Sequence, residues 1–481
     1  FEFEQTSLGN IETIEVTKAA TPDMDADSIG GSVNLVTKSA FDSSAGRRIN
    51  YSIGAVTGGD RIAHSASWKM PIDGYGPSMS IGYSDVLGEK RNIGLTLTGT
   101  VFSKPGGGHT SLMAHARATD DVPVYTQQAQ RRVEGATRTR LASGAKIDYK
   151  WSENTTFSFS TSYNFFHENG DTRLNNLAYT IPAAANTNPV AAVAVLDASG
   201  NRASGGFIHP GYTDTVTRVL AGGTATFSNV QVTSNDKSGR TFIFNPAARH
   251  RYHGMLIDYG VSYSKSSVWY DVSHKDPKYN SRPKGTVAAR LNNIGWTVDR
   301  SNDIDFPTIT QTQGPDMYDL NNYGNLTLTQ LDRAGHDNML AGKFNLRKEL
   351  SLALPTWVKT GASYHRQERK TAQVNHTYTF IGPDGIAGTA DDNLNLGQFE
   401  DTSDYHWKDE RTYATRGGVP PWPNPYAIAR HQTVHPEAWA LNVISNTQIP
   451  LQFDRQIAET VTAAYVMGNV CLLYTSDAAD E

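Results

Sequence analysis

The chain has 481 residues, a formal net charge of −5 and only 19% charged residues, with 42 glycines and 21 prolines. This composition disfavours a helical bundle and favours strands joined by turns and loops. Because positive and negative residues are scattered along the chain, it lacks the basic footprint of a nucleic-acid-binding protein, and we expect no nucleic-acid partner. The longest apolar run, 190–196, is too short for a membrane-spanning helix.

The first predicted elements are two short strands, "IETIEVTK" at 11–18 and "SVNLVTK" at 32–38. Gly30 and Gly31 directly precede the second strand, where glycine permits a positive φ or a close approach of two backbones. The chain opens with "FEFEQTSLGN", without a methionine or a signal peptide. We therefore interpret it as part of a longer protein.

From residue 47 onward, apolar and polar residues alternate in many segments. The clearest are "LASGAKIDYKW" at 141–151 and "TFSFSTSYNFF" at 156–166, joined by "SENT". Alternate side chains of a strand point to opposite faces, so each segment has one apolar and one hydrophilic face. We assign the following aromatic residues to a lipid-facing girdle: Tyr149, Trp151, Phe157, Phe159, Tyr163, Phe165, Tyr259 and Tyr263. The alternative is the buried core of a soluble sandwich.

The predicted connections between strands alternate in length. "VLGEK", "SENT" and "SKSS" are short, whereas 103–140, 167–249, 271–338 and 365–455 are long. Outer-membrane barrels place short turns on the periplasmic side and long loops outside. We therefore predict an all-β fold, a partial transmembrane antiparallel β-barrel of about ten strands. Unpaired backbone groups are costly in hydrocarbon, so a part of a barrel that leaves its edges open is unstable alone.

The opening segment, 11–41, followed at once by this strand ladder, resembles TonB-dependent outer-membrane receptors. The resemblance assigns 1–46 to the C-terminal end of a plug domain and 47–470 to the first part of a barrel that has 22 strands in the family. The plug-motif residues are Glu15, Gly30, Gly31 and Asn34. The spacer departs from the family, which often has Arg-Gly-Pro where this chain reads "KAATP" before an acidic run, and this departure indicates a subgroup.

The resemblance implies energised uptake of a scarce ligand, such as a siderophore, cobalamin or a glycan fragment, across the outer membrane of a Gram-negative bacterium. The implied partners are outer-membrane lipid, the small-molecule ligand, and a TonB complex that acts through an N-terminal region absent from this sequence. No cofactor and no enzymatic activity are implied. Two alternatives stay open: a passive porin-like channel, which would have no plug, and a secreted β-sandwich adhesin.

No enzyme motif is present: the sequence has no G-x-S-x-G elbow, phosphate-binding glycine loop or H-E-x-x-H helix. Trp422 and Tyr426 in "GGVPPWPNPY" are candidates for stacking on a sugar or an aromatic siderophore, with packing of the loop as the alternative. His431 and His435 have a spacing that suits a helical metal pair, but Pro436 favours an exposed loop.

Two further stretches have two readings each. The acidic loop 382–393, together with Glu400, Asp401 and Asp404 downstream, is a candidate calcium site, although it lacks the EF-hand spacing and a solvated acidic loop is the alternative. The tail 471–481, "CLLYTSDAADE", contains the single cysteine and resembles translated sequencing-adapter DNA; the alternative is a natural strand with an acidic terminus. We exclude this tail from the fold prediction, which leaves the natural part without a disulfide or a thiolate metal site.

Overall fold

A computed structural model describes residues 11–18, 21–24, 31–42, 46–57, 75–117, 121–180, 189–271, 285–352, 354–393, 395–402 and 418–470. Its dominant feature is one large antiparallel β-sheet, so the prediction of an all-β fold is confirmed. The tail 471–481, which resembles translated adapter DNA, lies outside these residues, as do Gly30 and the acidic residues Asp25, Asp27 and Asp404.

The structure contains nineteen strands and two α-helices within these ranges. The strands are β1 (Ile11–Thr17), β2 (Ser32–Thr37), β3 (Arg48–Thr57), β4 (Tyr75–Leu87), β5 (Ile93–Arg117), β6 (Val124–Ser152), β7 (Thr155–Tyr179), β8 (Ala194–Leu196), β9 (Arg202–Gly205), β10 (Val216–Val219), β11 (Thr226–Tyr252), β12 (Met255–Asp271), β13 (Gly285–Asn292), β14 (Gly295–Asp299), β15 (Thr308–Gln313), β16 (Gly324–Leu350), β17 (Thr356–Phe380), β18 (Trp439–Leu441) and β19 (Arg455–Val470). The helices are α1 (Pro425–Val434) and α2 (Val443–Phe453).

Ten of these strands form an up-and-down meander in the order β3-β4-β5-β6-β7-β11-β12-β16-β17-β19. Strand β13 is inserted between the first residues of β11 and the first residues of β16, and β18 pairs with the last residues of β17. In the described part of the chain, β3 pairs only with β4 and β19 only with β17, so the sheet has two edges. We call the end of the sheet with the short turns the turn end, and the opposite end the loop end.

The turn end carries the connections 88–92, 153–154, 253–254 and 351–355. The prediction of a turn at 264–267 is wrong, because these residues lie inside β12. The real turn is the two-residue loop of His253 and Gly254, whose φ angles of 46° and 70° are both positive, as a type I′ hairpin requires. Histidine is not a usual signal for this turn, which explains the error.

The predicted long loops are shorter than expected, because much of each is strand. Within 103–140, β5 and β6 stay paired as far as Arg117 and Val124. In the same way β7, β11, β16 and β17 continue well into the predicted loops. The long connections that remain join β7 to β11, β12 to β16 and β17 to β19. Alternation of apolar and polar residues is interrupted in some of these extensions, as in "SKPGGGH" at 103–109 of β5, and this hid them from sequence analysis.

The buried hydrophobic core lies at the loop end. Side chains from β6, β7, β11, β13 and β16 pack there against the connections between the long strands and against α1. We call the described parts of these connections, 189–225, 293–323, 381–393, 395–402 and 418–441, the lobe. Its central residues include Trp296, Leu320, Phe399, Trp422 and Ile428. Little of the ten-strand sheet near the turn end is buried in this way.

Candidate functional site on the polar face of the sheet

The two faces of the sheet differ at the turn end. Near this end the large apolar side chains are exposed, with Phe157 at 40% and Phe159 at 42% relative exposure. On the neighbouring strand, Ile147 is 44% exposed, whereas Asp148 on the opposite face is only 6% exposed. This is the reverse of a soluble sheet, in which the apolar face is covered.

The predicted girdle residues share the apolar face. Tyr149 registers with Phe157 across β6 and β7, and Phe244 registers with Tyr263 across β11 and β12. Tyr163 packs against Phe242 with ring centroids 4.7 Å apart. Trp151, Phe157, Phe159, Tyr259 and Tyr263 are exposed, and Tyr149, Tyr163 and Phe165 are half-buried. The structure therefore brings all eight onto one continuous surface, although their contact with lipid remains a prediction.

The opening hairpin forms a small sheet of its own. Strands β1 and β2 pair antiparallel, with Glu15 opposite Asn34 and a 2.9 Å hydrogen bond from the Asn34 amide to the Glu15 carboxylate. Gly31 has a φ of +112°, and a Cβ at this position would lie 2.5 Å from the carbonyl oxygen of Thr17. Only glycine fits this close approach of the two strands.

The residues after β2 contact the polar face of the large sheet. The Ser39 hydroxyl donates a 2.6 Å hydrogen bond to Asp148, and Lys146 donates to the Thr37 carbonyl oxygen at 3.4 Å. The Lys150 ammonium lies 3.9 Å from the centroid of the Phe41 ring. Sequence analysis placed Lys146, Asp148 and Lys150 on one polar face, but it gave no signal for their contacts with residues more than a hundred positions away.

A second contact joins the spacer to the other side of the sheet. The Lys359 ammonium on β17 donates to the Asp23 carboxylate at 2.5 Å. This hydrogen bond, followed by one from Thr21, lowers the pKa of Asp23 from its ordinary value of 3.8. The acidic spacer therefore has a defined partner on the polar face, which sequence analysis did not identify.

A cavity of about 740 Å³ lies between the hairpin and this polar face. Ile11 and Thr37 line it on the hairpin side. On the sheet side, hydroxyl side chains line it together with apolar residues such as Ile243 and Met339; the hydroxyl residues come from β7, β11 and β12 and are Ser160, Ser162, Thr241, Ser262, Ser264 and Ser266. On β16 and β17, Asp337 and Arg369 form an ion pair at 2.8 Å beside them. Such a wall can hydrogen-bond water or a polar solute but contains no catalytic arrangement.

Trp422 and Tyr426 do not present free faces to a ligand in this structure. Trp422 is 2% exposed and belongs to the core of the lobe. Tyr426 lies in α1, where the Asn424 side chain caps the helix by accepting from the Tyr426 and Ala427 amides. The Tyr426 hydroxyl is 2.8 Å from the Ser234 hydroxyl of β11. These contacts correspond to the packing alternative.

The expectation of an exposed loop around His431 is wrong, because helix α1 extends to Val434 and His435 caps its end. The His431 ring accepts a 3.2 Å hydrogen bond from the Trp439 indole, and burial, followed by the charge of His435, lowers the pKa of His431. In the described ranges, no group of three or more His, Cys, Asp or Glu side chains is arranged to hold a metal ion.

The acidic loop uses its carboxylates to bond its own backbone. Asp391 accepts from the Asp384 amide at 3.2 Å and Asp392 from the Gly388 amide at 2.7 Å. Asp384 itself accepts from the Ile386 amide at 2.8 Å. This local network fits a solvated loop, and calcium binding there remains a prediction.

Comparison with known proteins gives little. No protein-family model matches the chain, and no curated protein matches it. Among solved structures, the crystal structure of the P. putida toluene transporter TodX aligns with 71% of this chain and 84% of its own, at 8% sequence identity and a TM-score of 0.20. A score this low does not establish a shared fold. None of the helices in the described residues is both long and apolar enough to cross a membrane.

Proposed function

We propose that this protein is a TonB-dependent outer-membrane receptor that takes up a scarce ligand by energised transport. One observation carries the proposal: a plug-like hairpin is held on the polar face of a strand meander whose opposite face, near the turn end, is apolar and exposed. Contiguous exposed apolar surfaces of this extent mark contact with a membrane or a partner. The alternation of short turns with long connections adds support.

Contacts and a cavity on the polar face support the transport part of the proposal. The hairpin contacts it through Ser39 and Asp23, a hydrogen bond and an ion pair that a mechanical pull can break. Beneath the hairpin lies the hydroxyl-lined cavity, through which a polar solute can move once the hairpin is displaced. The ligand class stays open among siderophore, cobalamin and glycan, because ligand-recognising residues of such proteins lie on loops.

Labelling from the lipid phase tests the membrane part. The intact protein is reconstituted in phosphatidylcholine vesicles with a photoactivated apolar reagent, and labelled residues are mapped by mass spectrometry. We expect labels at Phe159 and Tyr259 and none at Ser160 and Asp258, which lie on the opposite face. Equal labelling of both faces would contradict a membrane sheet and favour the secreted sandwich.

Uptake in cells tests the energised part. Cells that express the intact protein are given labelled cobalamin, a ferric siderophore and a maltodextrin, with and without a protonophore. We expect uptake of one of the three and its loss when the proton gradient is dissipated. Uptake that continues without the gradient identifies a passive channel instead.

A further inference from the structure

Four basic side chains form a patch on the apolar face of the sheet: Arg240 of β11, Lys265 of β12, and Arg366 and Lys370 of β17. All four are exposed. Strand register puts them at nearly one height, because Arg240 is opposite Ser267, Ser267 is opposite His336, and His336 is opposite Lys370. Lys265 lies two residues closer to the turn end than Ser267, and Arg366 lies four residues closer to it than Lys370. We call these four residues the basic patch.

The basic patch carries uncompensated positive charge. Within the described ranges, none of its four residues forms an ion pair, and Arg240 only lies over the Trp269 ring at 5.7 Å. Among the described residues on this face, the one carboxylate at the height of the patch is that of Glu368, which lies between Arg366 and Lys370 on β17. It accepts a hydrogen bond from Gln456. The nearby Asp337 points to the other face and pairs with Arg369 there. The patch therefore has a net charge of about +3 from four cations and one anion.

The height of the patch coincides with the upper limit of the exposed apolar surface. On the same face, Phe242 lies opposite Lys265, and the pair Phe244 and Tyr263 lies two residues closer to the turn end. Arg240 registers with Phe165 of β7, and Asn169, four residues further along β7, is only 4% exposed. At about 3.3 Å per residue, Arg240 therefore lies about 13 Å closer to the turn end than Asn169.

We propose that the basic patch binds the phosphate groups of anionic lipids in the membrane leaflet at the loop end. The inference rests on the membrane location in the proposed function and deepens it. Arg240 and Lys265 are diagonal neighbours on paired strands, with their Cα atoms about 7–8 Å apart. The guanidinium and ammonium groups can therefore approach one phosphate together. The aliphatic stems of the side chains lie along the apolar surface while the charges reach the headgroup level.

The turn end has no equivalent patch on this face of the described strands. Its outward residues there are aromatic, such as Trp151 and Tyr259, and the one lysine, Lys348, donates to the carbonyl oxygen of His253 at 2.6 Å. The positive charge is therefore asymmetric across the predicted membrane thickness. This asymmetry favours anionic headgroups at the loop end specifically.

Lipid retention tests the inference. The intact protein that contains this chain is reconstituted in phosphatidylcholine vesicles containing about one-fifth phosphatidic acid, extracted in mild detergent, and its retained lipids are measured by native mass spectrometry. We expect phosphatidic acid to be enriched about tenfold over phosphatidylcholine. The variant Arg240→Gln/Lys265→Gln/Arg366→Gln/Lys370→Gln should lose this enrichment. A matched control, Arg117→Gln/Lys90→Gln/Arg251→Gln/Arg430→Gln, removes the same charge from exposed positions elsewhere and should retain it.

Two further arms make the test independent of how the variant folds. Raising the salt concentration should lower the enrichment for the wild-type chain, because exposed charges are screened. Inorganic phosphate at the concentration of the anionic lipid should not displace the lipid, whereas displacement would identify a free-phosphate site and overturn the inference. Equal enrichment in all three chains, or none in the wild type, also overturns it.

The outcome separates the two proposals. If the chain floats with pure phosphatidylcholine vesicles but shows no preference for phosphatidic acid, only the lipid-headgroup inference fails. If the chain does not float with phosphatidylcholine vesicles at all, the membrane location fails and the inference fails with it.

Discussion

The turn-end and loop-end halves of one sheet face have opposite surroundings. The β7–β11 register is continuous from Thr155 to Tyr179, so the odd-numbered residues of β7 lie on one face along the whole strand. Near the turn end this face presents exposed Phe157 and Phe159. At the loop end it presents Asn169, Arg173 and Leu177, all of which are buried. Large apolar residues of the turn end are thus exposed, whereas the polar Asn169 and Arg173 on the same face are buried together with Leu177.

This contrast shows that the burial of a side chain depends on which segment covers that part of the sheet, and not on whether the side chain is polar. At the loop end the lobe provides partners for the polar side chains: Arg173 pairs with Asp401 at 3.1 Å, and Asn175 donates to Ser228 at 3.0 Å. At the turn end no described segment covers the aromatic side chains. The proposed membrane is the solvent that would cover them, since lipid favours apolar side chains without requiring hydrogen bonds.

The largest effect should come from the covered half. Replacing Asp401 with alanine leaves the Arg173 guanidinium buried, with both side chains only 5% exposed in the wild type, and should lower the free energy of unfolding of the lobe by about 3–5 kcal/mol. Urea unfolding followed by tryptophan fluorescence measures it, because Trp296, Trp422 and Trp439 lie in this core. The exposed Asp305→Ala variant is the control and should change little. Equal effects would show that the lobe does not depend on this pair.

The next effect should come from the exposed half. Phe159→Arg puts a charge on the predicted lipid face and should cost about 2–4 kcal/mol in a bilayer near its middle. Ser160→Arg puts the same charge on the polar face and should cost much less. Unfolding from vesicles by guanidinium measures both variants. If the two variants are equally destabilised, the assignment of the two faces is wrong.

A smaller, pH-dependent effect should come from His431 in the lobe. Burial lowers its pKa from 6.5, so the neutral form is favoured in the folded state and accepts from Trp439. Stability is therefore complete above pH 6.5, decreases as the pH falls below that value, and levels off below the lowered pKa. His431→Gln should remove this dependence, a change under about 1 kcal/mol.

Urea midpoints of the lobe measured at about pH 7.5 and about pH 5.5 compare the His431→Gln variant with the wild type. The exposed His253→Asn variant at the turn end is the control and should keep the wild-type dependence, since asparagine tolerates the positive φ of that position. An unchanged slope in His431→Gln would assign the pH dependence to other groups.

The smallest effect on stability should come from the hairpin. Asp23→Asn removes an ion pair with Lys359 that is only partly buried, and should cost about 0–1 kcal/mol. The lowered pKa of Asp23 predicts the same loss in the wild type as the pH falls below 3.8 and through that lowered value. Limited proteolysis of 18–24 should become faster in the variant, and unchanged cleavage would show that the spacer is not held by this contact.

Sequence analysis predicted the turn-end half well and the loop-end half poorly. Alternation in 141–166 placed Ile147 and Phe159 on one face and Asp148 and Ser160 on the other, as the strand register has them. At the loop end it predicted loops where β5 and β6 continue, and it missed helix α1. It also missed the basic patch, because "SKSS" suggested a turn whereas Lys265 lies inside β12.

The amino-acid sequence by itself determined the strands and the two chemically different faces of the turn-end half, because a side-chain period of two is a local property of the backbone. It also determined the glycine at position 31, where backbone conformation admits no other residue. Only the tertiary structure decided which segments cover that sheet: the lobe over Arg173, and the hairpin over Asp148. These contacts join residues more than a hundred positions apart, and they depend on long-range packing that no local pattern encodes.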